Sequence, residues 1–238
     1  INSSISGCID TQKVHISSAI ASGYKYMLIV TSDEAKARKM CDDASFFNKE
    51  AIYYPAKDAI FYSADVHGNQ ITGERLRCIS RIINHSSTGE GVLTVVTTMD
   101  GIADRLIPVE RFKEAVITLD YSSEIEPEKL AKKLVAMGFV RTGMVEDKGQ
   151  FAIRGGIIDI FSYTDEAPVR IELWDTEVDS IRMFDVESQR SIERLQSYSI
   201  FPATEYIFTE DELKNGLYNI KKECDRQLEC FDYGKRKR

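Results

Sequence analysis

The sequence is short of several things at once, and each shortage closes off a class of function. Five cysteines (Cys8, Cys41, Cys78, Cys224, Cys230) among 238 residues form an odd set without C-x-x-C spacing. That pattern indicates neither a disulfide framework nor a zinc site, and it reads as free thiols in a reducing compartment. The three histidines, His15, His67 and His85, stand in separate segments, none with a second His or Cys at ligand spacing. Metal catalysis therefore has no support, and no metal or other cofactor is expected. No apolar run approaches the roughly 20 residues that cross a bilayer, and the start, Ile-Asn-Ser-Ser-Ile-Ser, lacks the basic-then-apolar layout of a secretion signal. A cytosolic chain without a membrane partner is the expectation, and the absent initiator Met suggests a piece of a longer protein. Positive charge is also in deficit, 31 Lys and Arg against 38 Asp and Glu for a net charge of −7. That balance opposes sequence-independent binding to phosphate backbones, which depends on releasing counterions through many basic contacts. The basic end, Lys235 to Arg238, reads as a solvated stub rather than a nucleic-acid arm.

What remains is an ordinary soluble composition, 43% hydrophobic and 29% charged, long enough for one large or two ordinary domains. To about residue 113 helical and strand patterns alternate, which predicts an α/β fold with a largely parallel sheet. A first helix is expected over 12–22, with Val14, Ile16, Ile20 and Ala21 as its buried stripe. The strand KYMLIV at 25–30 follows, apolar enough to lie inside the sheet. Thr31 and Glu34 fit a capping box for a helix running to about Phe47. A strand AIYY at 51–54, a helix over 72–84 carrying Leu76, Ile79 and Ile82 or Ile83 inward, and a buried strand GVLTVVTT at 91–98 complete this region. Asp100, just past that strand, reads as part of an Asp-Gly turn.

Near residue 114 the pattern changes. Pro127 opens a short helix that stops before Gly138. Strands then follow at about 139–145, 150–153, 156–161, 169–174 and 178–184, which predicts a separate strand-rich α+β domain. From Tyr198 the text turns helical again, with a long charged helix over 211–230.

Two places attract a functional reading. Gly7 and Lys13 have the spacing of the phosphate loop G-x-x-x-x-G-K-[ST] and stand before the first helix, but Gln12 takes the second glycine and Val14 the hydroxyl residue. That glycine lets backbone N–H groups curl around phosphates, and the hydroxyl is a ligand of Mg²⁺. A loop so altered predicts no useful ATP binding. With no G-x-S-x-G, no DExx box after a buried strand and no carboxylate pair at an evident cleft, no catalytic residue is assigned and the chain is not expected to be an enzyme.

The second place is the strand Val169-Arg-Ile-Glu-Leu-Trp174. Strand alternation turns Val169, Ile171 and Leu173 to one face and Arg170, Glu172 and the sole Trp to the other. An Arg beside a large aromatic on a sheet surface has the composition of a protein interface. Two plainer alternatives stand beside it: Trp174 tucked under a neighbouring helix, or Arg170 paired with Glu172 at the surface. Arg154, ahead of Gly155-Gly156, reaches the same face if the strands are neighbours.

The run from Gln150 to Leu195 resembles the second domain of bacterial transcription-repair coupling factors (Mfd), and more distantly that of UvrB. It carries the blocks RG-x-x-x-D-[IL]-F, R-[ILV]-[ED]-[FL]-[FW]-x-x-E-[IV] and FD-x-x-[ST]-Q-R in order. The helix before it, and AIYYPAKDAIFYSADVH with GERL upstream, extend the resemblance over nearly the whole chain. It implies a degenerate P-loop, RecA-like parallel-sheet domain in two pieces, 1–113 and 198–238, with a smaller strand-rich domain at 114–197 inserted between them. It implies that the insert recruits UvrA to lesion-stalled RNA polymerase in the bacterial cytoplasm, with the family's UvrA-contacting positions falling on Arg154, Arg170 and Trp174. Trp174 departs from the usual Phe but keeps an aromatic. The polymerase-binding module and the ATP-dependent translocase acting on double-stranded DNA are implied to lie beyond Arg238. An alternative is a nucleotide-dependent, damaged-DNA-binding domain like UvrB, against which the altered loop and acidic balance count. A third reading has the recruiting face masked by the rest of the protein until polymerase is engaged.

Overall fold

The computed structural model describes residues 4–57, 65–104 and 106–235. The quoted stretch at 58–64 and the basic residues 236–238 lie outside them.

In the first third, α1 (Asp10–Ala21), β1 (Tyr26–Thr31), α2 (Glu34–Ser45), β2 (Ala51–Tyr54), α3 (Asp65–Thr88) and β3 (Leu93–Thr98) alternate in the order the sequence pattern predicts. The strands form a parallel sheet in the order β1-β3-β2. Helices α1 and α2 cover one face through Val14, Ala37, Met40 and Ala44. Helix α3 covers the other, where Cys78, Ile79 and Ile82 pack on Ile52 and Leu93.

Several local expectations are corrected. GVLTVVTT, not KYMLIV, takes the centre, and β1 is an edge strand whose Tyr26, Leu28 and Val30 are exposed. A continuous apolar run does not by itself distinguish an edge strand from a central one. Ile20 is likewise exposed. Helix α2 is capped two residues later than expected: the Asp33 carboxylate accepts from the Lys36 N–H at 2.9 Å, while the Thr31 hydroxyl donates to the Asp33 carbonyl. Asp100 does not lie in an Asp-Gly turn but in the first turn of a short helix α4 (Met99–Ala103), where Thr98 Oγ1 accepts from the Gly101 N–H.

After α5 (Val109–Ala115) the chain builds β4 (Ile117–Asp120) and α6 (Pro127–Ala136). It continues through β5 (Val140–Arg141), β6 (Gln150–Arg154), β7 (Ile157–Phe161), β8 (Val169–Trp174), β9 (Glu177–Phe184), β10 (Ser191–Arg194) and β11 (Ser197–Ile200). The expected strand 139–145 shrinks to the two residues of β5. Strands β10 to β5 form one six-stranded sheet in sequential order, antiparallel except for the β5/β6 pair, while β11 pairs with β4. One sheet face carries Phe151, Ile158, Ile160, Val169, Ile171 and Ile181, packed against Leu130 and Leu134 of α6 and Tyr198 and Ile200 of β11. The sheet's opposite face carries a smaller apolar cluster of Val145, Ala152 and Phe161, with Val186 packed against it.

Residues up to Glu205 form one compact unit, within which the Arg75 guanidinium on α3 is buried and grips Glu205 through two hydrogen bonds of 2.6 and 3.0 Å. Burial works to lower the Arg75 pKa, but the Glu205 hydrogen bond and the Tyr54, Glu205 and Asp104 charges together leave it raised. From Tyr206 a second unit begins, built on α7 (Glu210–Lys235). Its start is a capping box: the Thr209 hydroxyl accepts from the Glu212 N–H, and the Glu212 carboxylate accepts from the Thr209 N–H. Among the described residues no helix is long and apolar enough to cross a membrane.

Candidate functional site

The Gly155-Gly156 turn joins β6 to β7, and its register does the first positioning. Arg154 pairs with Ile157 and Ala152 with Asp159. Gly155 adopts φ +62, and a Cβ on Gly156 would lie 2.9 Å from the Leu173 carbonyl, so the turn lies close against β8. Asp159 pairs in turn with Arg170, and Arg170 with Arg182. Directly paired residues share a face, so Arg154, Asp159, Arg170, Glu172 and Arg182 all stand on the side away from the apolar core.

Two like-charged arginines opposite each other need anions, and each has its own. Asp159, with its side chain 1% exposed, accepts from Arg170 Nε at 2.6 Å and from Arg170 Nη2 at 2.8 Å. It also accepts from Arg154 Nη2 at 2.5 Å. Arg182 pairs with Glu172, which takes a further hydrogen bond of 2.7 Å from the Ser180 hydroxyl. The surface Arg170–Glu172 pair held open by the sequence is not formed. Arg170 is fixed from two more sides: Gln189 Oε1 accepts from Nη2 at 2.8 Å, and the guanidinium lies 4.3 Å from the centre of the Phe184 ring. The hydrogen bonds to Asp159 raise its pKa above the ordinary arginine value.

Trp174 ends β8, paired with Glu177 across the two-residue turn Asp175-Thr176, where Asp175 takes φ +58. The residue is 80% exposed, so it is not tucked under a helix. Arg154 and Trp174 stand toward the same end of the sheet. Trp174 is four residues from Arg170, about 13 Å along an extended strand. Among the described residues no hydrogen bond or ring contact joins it to either arginine. The structure thus brings Arg154 and Arg170 together on one carboxylate and sets Trp174 beyond them on the same face.

Three participants went unassigned in the sequence: Asp159, Phe184 and Gln189. All lie inside the quoted blocks. Counting outward from a two-residue turn at Gly155-Gly156 places Asp159 opposite Ala152, on the face of Arg154. That count was available from the text; the reach of Gln189 back to Arg170, 19 residues away, was not.

In the segment with the Gly7 and Lys13 spacing, Gly7 takes φ +76 and α1 begins at Asp10. Gln12 Oε1 accepts from the Ile9 N–H at 3.3 Å, Lys13 Nζ donates to Asp10 at 3.0 Å, and Val14 is fully buried. Each side chain therefore serves the helix or the core.

Residues 117–206 match the model of the UvrB interaction domain. The chain is similar to the transcription-repair-coupling factor of Bacillus subtilis (strain 168), 39% identical over 198 residues, 82% of this chain and 16% of the relative. It is also similar to that of Staphylococcus aureus (strain Mu50), 34% identical over 237 residues, 95% of this chain and 20% of the relative. The factor of Staphylococcus haemolyticus (strain JCSC1435) is 36% identical over 199 residues, 83% of this chain and 16% of the relative. The chain thus spans between 16% and 20% of the length of these curated relatives.

Proposed function

Residues 117–206 belong to the UvrB interaction domain family and the chain as a whole is a relative of the transcription-repair-coupling factors, and from that premise we propose that it is a docking module for UvrA. The face formed by Arg154, Arg170 and Trp174 binds UvrA and brings it to RNA polymerase stalled at a lesion. ATP-driven translocation on double-stranded DNA and the polymerase contact are activities of the whole factor, of which this chain is one part.

One observation carries the reading. Three separate sequence blocks, contributing Arg154 with Asp159, Arg170, and Phe184 with Gln189, meet in one network on the sheet face opposite the main apolar core. Beside it the chain's sole Trp is 80% exposed. An aromatic of that size in solvent costs hydrophobic free energy that a partner recovers, and Trp and Arg dominate interface energetics. The engaged Lys13 and buried Val14 support a binding module over a nucleotide-dependent, damaged-DNA-binding one.

The test is the affinity of the chain for purified UvrA by surface plasmon resonance. Trp174→Ala and Arg154→Ala each lower it by at least about tenfold, in line with the cost of truncating an interface anchor. Wild-type affinity in both variants overturns the proposal.

A further inference from the structure

Three features set the two arginines of the docking face apart. Arg154 has a side chain 43% exposed and, among the described residues, one side-chain hydrogen bond, to Asp159. Arg170 is 12% exposed and held by three hydrogen bonds and an aromatic ring beneath it. The residue that reaches Arg170 from the far loop, Gln189, adopts φ +57, a left-handed backbone that a non-glycine residue keeps only when its surroundings enforce it. The enforcement is visible: the Gln189 N–H donates to the Asp185 carbonyl at 2.8 Å, its side-chain amide donates to the Val186 carbonyl at 2.7 Å, and Asp185 is itself tied to Ser188. A loop is therefore bent into an uncommon conformation with its side chain against Arg170, which has little surface left to offer a partner.

We infer that Asp159 is a positioning residue for docking, and that Arg170 acts through it: Gln189 holds Arg170, Arg170 locks the Asp159 carboxylate, and Asp159 holds the Arg154 guanidinium at the angle at which the partner meets it. In this scheme Arg154 and Trp174 make the contacts, and the partner presents an acceptor, a carboxylate or carbonyl, to Arg154 and a slot to the indole. An arginine fork recognises such an acceptor only in a set plane, so preorganising it conserves the affinity otherwise spent on ordering a long side chain. This inference rests on the UvrA-docking reading above.

Net charge and positioning predict opposite outcomes for one substitution, which makes the scheme testable. Asp159→Asn removes a negative charge and makes the face more basic. If the face works by overall charge, binding to an acidic site tightens. If Asp159 positions Arg154, binding weakens. The expected result is a loss of at least about tenfold in UvrA affinity, with near-native circular dichroism at the assay temperature. Adding Arg154→Ala to Asp159→Asn costs less than about twofold more, whereas Arg154→Ala alone costs tenfold or more, because a misplaced Arg154 has little left to lose. A purely structural role for Asp159 leaves the two effects additive. Arg170→Lys supplies a second probe should the Asn variant not fold: charge is kept, the two-pronged grip is lost, and affinity falls in the same direction. Affinity at or above wild type in Asp159→Asn, or additive losses in the double variant, overturns the inference while the docking reading stands. Wild-type affinity in both Arg154→Ala and Trp174→Ala overturns that reading and this one with it.

Discussion

At the scale of single residues, the sheet face that bears Arg154, Arg170 and Trp174 separates side chains that hold the fold from those that stand clear of it. Trp174 is 80% exposed, so its truncation takes little from the folded chain. Arg170 is different. Asp159 is buried, and two of its hydrogen bonds come from Arg170. Arg170→Ala leaves that carboxylate short of its main counter-ion, and breaking a buried pair in this way costs about 3 kcal/mol, or about 6–12 °C in melting temperature. Differential scanning fluorimetry is expected to show that drop for Arg170→Ala and almost none for Trp174→Ala; equal, small shifts would show that the Asp159 pair is not buried in solution. Loss of UvrA binding in Arg170→Ala is accordingly expected together with lowered stability, whereas in Trp174→Ala it is expected without one. The thiols are a quieter case. Burial pushes Cys78 up to about 12 and Cys41 up to about 11, so both are poorly nucleophilic at neutral pH, and among the described residues Cys224 is the exposed thiol.

At the scale of elements, α6 shows how a few residues set both ends of a helix and fix a domain's core. Pro127 takes the first turn, where its missing N–H costs nothing. At the other end Gly138 has φ +90, and the Phe139 N–H bonds to the Leu134 carbonyl while the Gly138 N–H bonds to Val135. That is a Schellman ending, completed by burial of both Phe139 and Leu134 in the same cluster. A Cβ on Gly138 would lie 2.8 Å from two Thr204 side-chain carbons, so Gly138→Ala meets both a left-handed backbone and a clash. The expected loss is about 2–4 kcal/mol, read from urea unfolding, against almost none for Gly143→Ala, where an added methyl meets nothing within 4 Å. Equal midpoints for the two would refute this account of the helix end. The start of α2 carries a smaller, pH-linked contribution. The Lys36 N–H and the Ser32 hydroxyl hold the Asp33 carboxyl below the ordinary value, so its stabilisation is present above about pH 4 and fades as pH falls through the lowered folded value.

At the scale of the whole molecule, charge and the segment before α1 bear on the same question. A net charge of −7 resists phosphate backbones, and Lys13 on α1 is paired with Asp10 while Val14 is committed to the core. Calorimetry of the chain with Mg-ATP is expected to give no saturable heat in the micromolar range; a clear isotherm would reinstate a nucleotide-dependent reading. What the sequence determined by itself is whatever depends on neighbours along the chain. The α/β alternation up to β3, the Pro127 and Gly138 helix limits, the β8 span and the outward turn of Arg170 and Trp174 all follow from periodicities and end signals of a few residues. Even the opposition of Asp159 and Ala152 was latent in a two-residue glycine turn. Tertiary structure alone decided which strand lies at the sheet centre, that Arg75 is sealed against Glu205 at 130 residues' separation, and that Arg170 answers to Asp159 and Gln189 rather than to Glu172. The physical reason is the same each time: a charged or apolar side chain takes the partner that packing brings within reach, and that partner's place in space depends on loops whose closure no local pattern encodes.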